Sequence, residues 1–199
     1  MPESAIHPPL ILASTSSYRA DALRRLKLRF TTVNPEIDEQ SKGAEKPAAL
    51  ALRLAHAKAA AGLRQHPGSV VIGSDQVGFC NGRRLHKPGN AQRSIEQLTH
   101  CSGKRATFYT AVAVHDHCHE LATVVPTELQ FGPLTRTVIE NYVNAEPAFD
   151  CAGGFKIEGL GISLFTSVSS SDPSAIIGLP LIATITLLRS LDWQIPTST

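Results

Sequence analysis

Only four of the 199 residues are cysteines, at positions 80, 101, 118 and 151, and no two of them stand at C-x-x-C spacing. That scatter excludes a zinc ribbon and a dense disulfide framework, and free thiols in a reducing cytoplasm account for it. Strong charge of one sign is missing too. Nineteen Lys plus Arg face seventeen Asp plus Glu, a formal net charge of +2, without the basic stripe and interleaved aromatics of a dedicated nucleic-acid binder. The longest uncharged apolar run, residues 175–188, contains Gly178 and Pro180. It falls short of the roughly 20 residues that cross a bilayer and reads as core. The opening "MPESAIHPPLILAS" has no basic region before its short apolar run, so it does not read as a secretory signal.

What is present fits one domain over residues 1–199, long enough to bury about 70% of its unfolded surface. Leu10–Ala13 reads as a short buried strand, and residues 18–28 as a helix with Ala22, Leu23 and Leu26 at helical spacing. A second helix is expected over 47–63, where Pro47 suits the first turn and Leu50, Leu54, Ala57 and Ala61 form a stripe. The polar "NPEIDEQSKGAEK" between them is a loop. "SVVIGSDQ" reads as a buried strand that delivers Ser74, Asp75 and Gln76 at its carboxyl end. A third helix covers 90–100, followed by two strands joined near "DHCH", with Pro126 placing the second at an edge or a bulge. Residues 135–145 carry Val138, Ile139, Tyr142 and Val143 on one helical face, "GFKIEGLGISLF" reads as a glycine-punctuated strand, and a last helix spans about 181–191. Interleaved strands and helices predict an α/β fold with a mixed sheet flanked by helices.

The stretch "LILASTSSYR" turns a strand into a helix, which leaves the first helical N–H groups unpaired and aims the positive end of the helix dipole at the turn. Serine hydroxyls add donors, and Arg19 adds a planar charged fork suited to phosphate. The plain alternative is that Ser16 or Ser17 only caps the helix and Arg19 is solvated. Asp38, Glu39 and Asp75 are carboxylates of the kind that hold Mg²⁺ or Mn²⁺, and Lys58 and Lys87 would offset phosphate charge. Taken singly they also read as loop charges, helix surface and a turn residue. In "HDHCHE", His115, His117 and His119 would share one side of a continuing strand, opposite Cys118, and could ligate a transition metal. The segment coincides with the expected turn and reads as a solvated hairpin tip.

"LILASTSSYR", "PEIDE", "RLAHAKA", "GSDQV", "HKP", "TFYTAVAV", "CAGGFKIEGLG" and "IIGLPL" follow one another in this order from Leu10 to Leu188. In that order they resemble the Maf-like nucleotide pyrophosphatases. The resemblance implies a cytoplasmic enzyme that hydrolyses a nucleoside triphosphate between the α and β phosphates with a divalent cation, Mg²⁺ or Mn²⁺. It implies an elongated, two-lobed, inosine-triphosphatase-like architecture with a cleft, commonly in a homodimer. It makes Asp75 the proton acceptor, makes Glu39 and Asp75 the metal ligands, and lines the phosphate site with Ser14, Arg19, Lys58 and Lys87.

Tyr18, Gln76 and Glu158 match the aromatic, Gln and Glu of the branch resembling 7-methyl-GTP pyrophosphatases. The dTTP and UTP branch carries a basic residue, Thr and Gln there. The chemistry agrees. An aromatic face attracts a positively charged methylated base by about 0.5–2 kcal/mol. A carboxylate can accept both N1–H and the 2-amino group of guanine, while it repels the carbonyls of a pyrimidine. Gln76 could donate to a base carbonyl. The chain departs from the pattern at Ser17, His86 and Ala111, where Pro, Gly and Gly are frequent, and at Tyr18, where Trp is frequent. A reading of another class is a non-catalytic nucleotide-binding regulator of cell division, which would have no need of Asp75, Glu39, Lys58 and Lys87 together.

Overall fold

β-branched residues at 70–72 and the alternation across 105–115 form the middle of a seven-stranded sheet in the computed structural model, which describes residues 7–41 and 43–196. In chain order the elements are β1 (Leu10–Ala13), α1 (Ser17–Arg24), β2 (Thr31–Val33), α2 (Pro47–Gln65), β3 (Val70–Cys80), β4 (Arg83–Leu85), α3 (Ala91–Cys101), β5 (Arg105–His115), β6 (Glu120–Phe131), α4 (Arg136–Ala145), β7 (Phe165–Ser170) and α5 (Leu181–Arg189). The strands run in the order β2-β1-β3-β5-β6-β7, with β4 paired to β3. β1 is parallel to β2 and β3, and the remaining pairs are antiparallel, so the sheet is mixed as expected.

Side-chain alternation sorts the helices between the two faces. On one face Leu10, Leu12, Val70, Ile72, Val112 and Val114 pack with Leu23, Leu188 and Trp193, which seats α1 and α5 at one end. Farther along that face Phe108, Leu129 and Phe131 pack with Leu98, Ile139, Tyr142 and Phe155, which seats α3 and α4. The opposite face is covered by α2, whose Leu50, Ala51, Leu54, Ala55 and Ala59 lie on Val77, Ala111 and Ala113. Two lobes therefore share one sheet.

The gap between the lobes continues at the edge of β3. Residues 70–73 pair with β1 and residues 78–80 with β4. Between them, residues 74–77 have no strand on that side among the described residues, although β5 pairs with β3 from Val71 to Cys80 on the other. Ser74, Asp75 and Gln76 thus lie in mid-strand and not at a carboxyl end, because the long antiparallel β5 ladder carries β3 onward after β1 stops. They still open to a cleft, since the parallel neighbour ends at Ala13.

Other expectations need correction. "GFKIEGLGISLF" is a turn and a 3-10 segment, Leu160–Leu164, and the strand begins only at Phe165. Gly161 lies so close to the preceding turn that a Cβ would stand 2.3 Å from the Lys156 carbonyl. α1 ends at Arg24 because the next residues tighten into i→i+3 bonds and Lys27 turns to φ 56°. Val138 is exposed, unlike its buried neighbours Ile139, Tyr142 and Val143. β6 is not an edge strand, since it lies between β5 and β7, but Pro126 falls in the part of it that β7 does not reach. Its carbonyl accepts from Ser170 Oγ on the β7 side, and the β6–β7 ladder begins only at Thr127, so no ladder bond is lost. No helix among the described residues is long and apolar enough to cross a membrane.

Candidate active site

Gly73 brings α2 onto the sheet. A Cβ there would stand 2.2 Å from the Ala55 carbonyl oxygen and 2.5 Å from the Ala59 nitrogen, so only glycine admits the helix this closely. One turn of α2 and two residues of β3 then meet at the cleft. Lys58 Nζ donates to Asp75 Oδ1 at 2.7 Å and lies 2.6 Å from Glu39 Oε1. Lys58 and Asp75 are buried, whereas the Glu39 side chain is 61% exposed and reaches in from the polar loop. Burial raises the Glu39 pKa, but its bond to Lys58 and the fields of Lys58, Arg19 and Lys87 outweigh that and hold it below the usual carboxylate range. Asp38, the neighbouring carboxylate, caps its own turn by accepting from the Gln40 N–H at 2.9 Å and does not line the cleft.

The strand-to-helix turn faces this ion triad. Ser16 caps α1, its Oγ accepting from Arg19 N, and Ser14 Oγ accepts from Ser16 N at 3.1 Å. Arg19 is not a solvated side chain: its Nε donates to the Gly178 carbonyl at 2.9 Å and its Nη1 reaches Ser14 Oγ at 3.5 Å. Burial lowers its pKa while Asp75 and Glu39 act the other way, and a guanidinium stays charged throughout. Gly178 adopts φ 117°, a conformation that favours glycine, and its carbonyl also lies 2.9 Å from Ser74 Oγ. The helix cap of the plain reading is present at Ser16, and its solvated Arg19 is not, because the guanidinium is tied to Gly178 and Ser14.

The far wall carries the residues expected to choose the base. Tyr18 donates to Asp150 Oδ1 at 3.3 Å, and Lys156 Nζ lies 5.5 Å from its ring centroid. Burial, with Cys151 and Asp150 nearby, raises the phenol pKa, so Tyr18 stays neutral. The Cys151 thiol is itself pushed up to about 11, chiefly by burial. Glu158 is exposed on the cleft wall, and its carboxylate has no hydrogen bond or ion pair among the described residues. Lys87 is likewise exposed and lines the cleft. Gln76 differs from expectation. Its Nε2 lies 3.0 Å from the carbonyls of Ala175 and Ile176 and 3.1 Å from Thr110 Oγ1, so its N–H donors are already engaged and do not wait for a base. The cleft so enclosed has a volume of about 560 Å³ and brings together Ser14, Tyr18, Arg19, Glu39, Lys58, Asp75, Gln76, Lys87 and Glu158.

Three supports escaped the sequence reading. Buried Asp172 accepts from Ser174 N, Ser174 Oγ, Ile182 N and Ala183 N, which caps α5 from a distance and pins the segment that carries the Gly178 carbonyl. Gln97 clamps the Lys87 loop by accepting from His86 N and donating to His86 O, each at 3.0 Å. Lys156 adds a cation beside Tyr18. "SSSDPS" does contain a capping-type Asp, the one signal available, but its target helix begins nine residues later. Of "HDHCHE", residues 116–119 form the β5–β6 turn with His117, Cys118 and His119 exposed, as a solvated tip should be, whereas His115 ends β5 and is buried, away from the other two histidines.

Known proteins resemble the chain along nearly its whole length. A protein of Xanthomonas oryzae pv. oryzae named 7-methyl-GTP pyrophosphatase is 52% identical over 95% of this chain and 100% of its own. One of that name from Bordetella pertussis is 50% identical over 92% of each. The solved structure of the Staphylococcus aureus Ham1 protein aligns with 92% of the chain at a TM-score of 0.49 and 14% identity. Residues 9–191 match the family model described as Maf-like protein, and with half-identical relatives covered almost end to end, the chain belongs to the Maf family.

Proposed function

We propose that the chain is a nucleoside triphosphate pyrophosphatase that cleaves the α–β phosphoanhydride of 7-methyl-GTP. One observation carries the reading. A buried Lys58–Asp75 pair, joined by Glu39, faces a serine- and arginine-lined helix start across a cleft large enough for a nucleotide, in a chain half identical to proteins of that name.

The triphosphate lies along the turn, where Ser14, the first N–H groups of α1 and the free edge of Arg19 meet its oxygens. Lys87, at the mouth, adds charge. A water placed beside Asp75 attacks the α-phosphorus in line. Its oxygen forms the new P–O bond, its proton passes to the Asp75 carboxylate, and the bond to the bridging oxygen breaks to release pyrophosphate. Lys58 holds Asp75 at 2.7 Å and fixes the direction in which that carboxylate can act. Arg19 and Lys87 stabilise the charge on the leaving pyrophosphate.

The donor set suits a hard divalent cation: Glu39 and Asp75 each bring a carboxylate to one point, now met by Lys58. Glu39 and Asp75 would hold Mg²⁺ or Mn²⁺, which supplies charge neutralisation on the phosphate oxygens. Tyr18 gives the base an aromatic face and Glu158 gives guanine's N1–H and 2-amino group an acceptor. Gln76 acts one step back, by tying residues 175–176 into the cleft floor.

The test is pyrophosphate release with Mg²⁺ or Mn²⁺ from 7-methyl-GTP, GTP, dTTP, UTP and CTP at equal concentration. The reading requires 7-methyl-GTP to lead. A lead for dTTP or UTP would overturn the roles of Tyr18 and Glu158, and no release from any of the five would overturn the enzyme.

A further inference from the structure

A second cluster of titratable side chains lies outside the cleft, on the α2 face of the sheet. His115 ends β5 and Glu120 begins β6, and the two stand directly opposite in the ladder. By alternation His115 points the same way as Ala111 and Ala113, toward α2. There His56 meets it. His56 Nδ1 and His115 Nε2 are 2.9 Å apart, with the rings tilted 49° and their centroids 5.1 Å apart. One ligand atom from each of His56, His115 and Glu120 lies within 4.8 Å of the others.

The buried ring has few other ties. His115 is 2% exposed, and its Nδ1 has no hydrogen-bond partner among the described residues. The polar contact that remains is the one to His56, where two basic nitrogens must share a single proton. A cation in place of that proton would take both lone pairs. Ligand nitrogens on bonds of about 2.0–2.1 Å in tetrahedral geometry stand roughly 3.3 Å apart, so the rings need open by only a few tenths of an ångström. Glu120 is exposed and can swing in as the third ligand.

We propose that His56, His115 and Glu120 form a transition-metal site for a cation of the Zn²⁺ class, completed by solvent, which clips α2 to the β5–β6 hairpin. Two imidazoles and a carboxylate are a borderline set, the kind that takes Zn²⁺ or Co²⁺. In the cleft the carboxylates that meet at Lys58, Glu39 and Asp75, offer hard oxygens, suited to Mg²⁺ or Mn²⁺. The two sites differ in softness and are separable by metal. The clip lies on the helix that carries Lys58, two residues beyond His56, so its effect is on the stability of that helix and not on the chemistry.

The test uses the full chain in excess Mg²⁺, which saturates the cleft, titrated with Zn²⁺ by equilibrium dialysis and with Co²⁺ by visible absorption. Thermal unfolding is followed with and without Zn²⁺. The chain should take up one equivalent, give the visible bands of four- or five-coordinate Co²⁺, and gain roughly 5–10 °C in Tm at a hundredfold excess of Zn²⁺ over Kd. His56→Gln and Glu120→Gln should each lose affinity by at least about tenfold, while Cys118→Ser keeps it. Circular dichroism checks that each variant is folded, and exposed Glu120 decides the matter if His56→Gln is not. No uptake by the unaltered chain, or uptake that survives both substitutions, overturns the site. The first outcome leaves a simple imidazole pair, and the second moves the metal to the cleft or to a thiol.

Discussion

Replacing Gly73 with alanine tests how the fold builds the cleft. The new Cβ would stand 2.2 Å from the Ala55 oxygen and 2.5 Å from the Ala59 nitrogen, where ordinary contact begins at 3.4 Å. Both are backbone atoms that cannot rotate aside, so α2 must lift by about 1 Å. Overpacking of this kind costs about 1–3 kcal/mol, and at about 2–4 °C per kcal/mol for a chain of this size Tm should fall by roughly 2–12 °C. Lys58 rides on the displaced helix, and an error of about 1 Å beside the reacting atoms lowers the rate about a hundredfold. Gly62→Ala is the control. Its Cβ meets a Val71 methyl at 2.8 Å and the Ala13 Cβ at 3.0 Å. That clash is with side chains, offset by about 1 kcal/mol of helix propensity, so both Tm and rate should stay closer to those of the unaltered chain. Scanning calorimetry and pyrophosphate release read the two effects. A Gly73→Ala protein with unchanged Tm and rate, or one no worse than Gly62→Ala, refutes the packing argument.

Asp75→Asn should lower kcat by about 10²–10⁴ while far-UV circular dichroism stays unchanged, because Lys58 keeps Glu39 as a partner. Glu158→Gln should narrow the preference for guanine over pyrimidine substrates, read as the ratio of kcat/KM for 7-methyl-GTP and dTTP; an unaltered ratio removes Glu158 from the base site. Asp172→Asn turns an amide toward N–H donors that now meet a carboxylate, and at about 1–3 kcal/mol for each donor left unmet it should lower Tm and raise KM through the Gly178 carbonyl. The folded-state pKa of Glu39 lies below its ordinary value of 4.5. Its charge therefore stabilises the fold above that value, and the contribution is lost as pH falls through the lower folded-state value. The Tm difference between the unaltered chain and Glu39→Gln should be constant above about pH 5 and shrink as the pH falls below the ordinary carboxylate value; a gap that widens on acidification contradicts the assignment.

Local periodicity was enough to locate β1, α2, the β5–β6 hairpin and α4, because each buries one stripe or one alternating face against the sheet. It failed where a long-range partner decides. β3 looked complete at Gln76, yet β5 pairs with it as far as Cys80. The three-residue strands β2 and β4 are too short to show a pattern. Residues 154–164 offered apolar residues between glycines, which a strand and a tight turn share equally. For the site, the strand-to-helix turn and the carboxylates are legible in the sequence, and the convergence of Glu39 and Asp75 on Lys58 is not, since it depends on how closely α2 meets Gly73. The hydrogen bonds of Gln76 are not legible for a related reason: its N–H donors go to residues 175–176, about a hundred positions away. His56 sits inside a helical pattern that gives no hint of His115, so "HDHCHE" alone shows its neighbours in sequence and not the imidazole that His115 meets on the helix packed over the sheet.

The most direct test of the central claim is hydrolysis of 7-methyl-GTP in ¹⁸O-labelled water, with both products examined by mass spectrometry. Water activated beside Asp75 and delivered to the α-phosphorus places one label in the nucleoside monophosphate and leaves the pyrophosphate unlabelled. Label in the pyrophosphate, or release of inorganic phosphate in its place, would put the attack at another phosphorus and contradict the alignment of Asp75, Lys58 and Arg19 along the cleft.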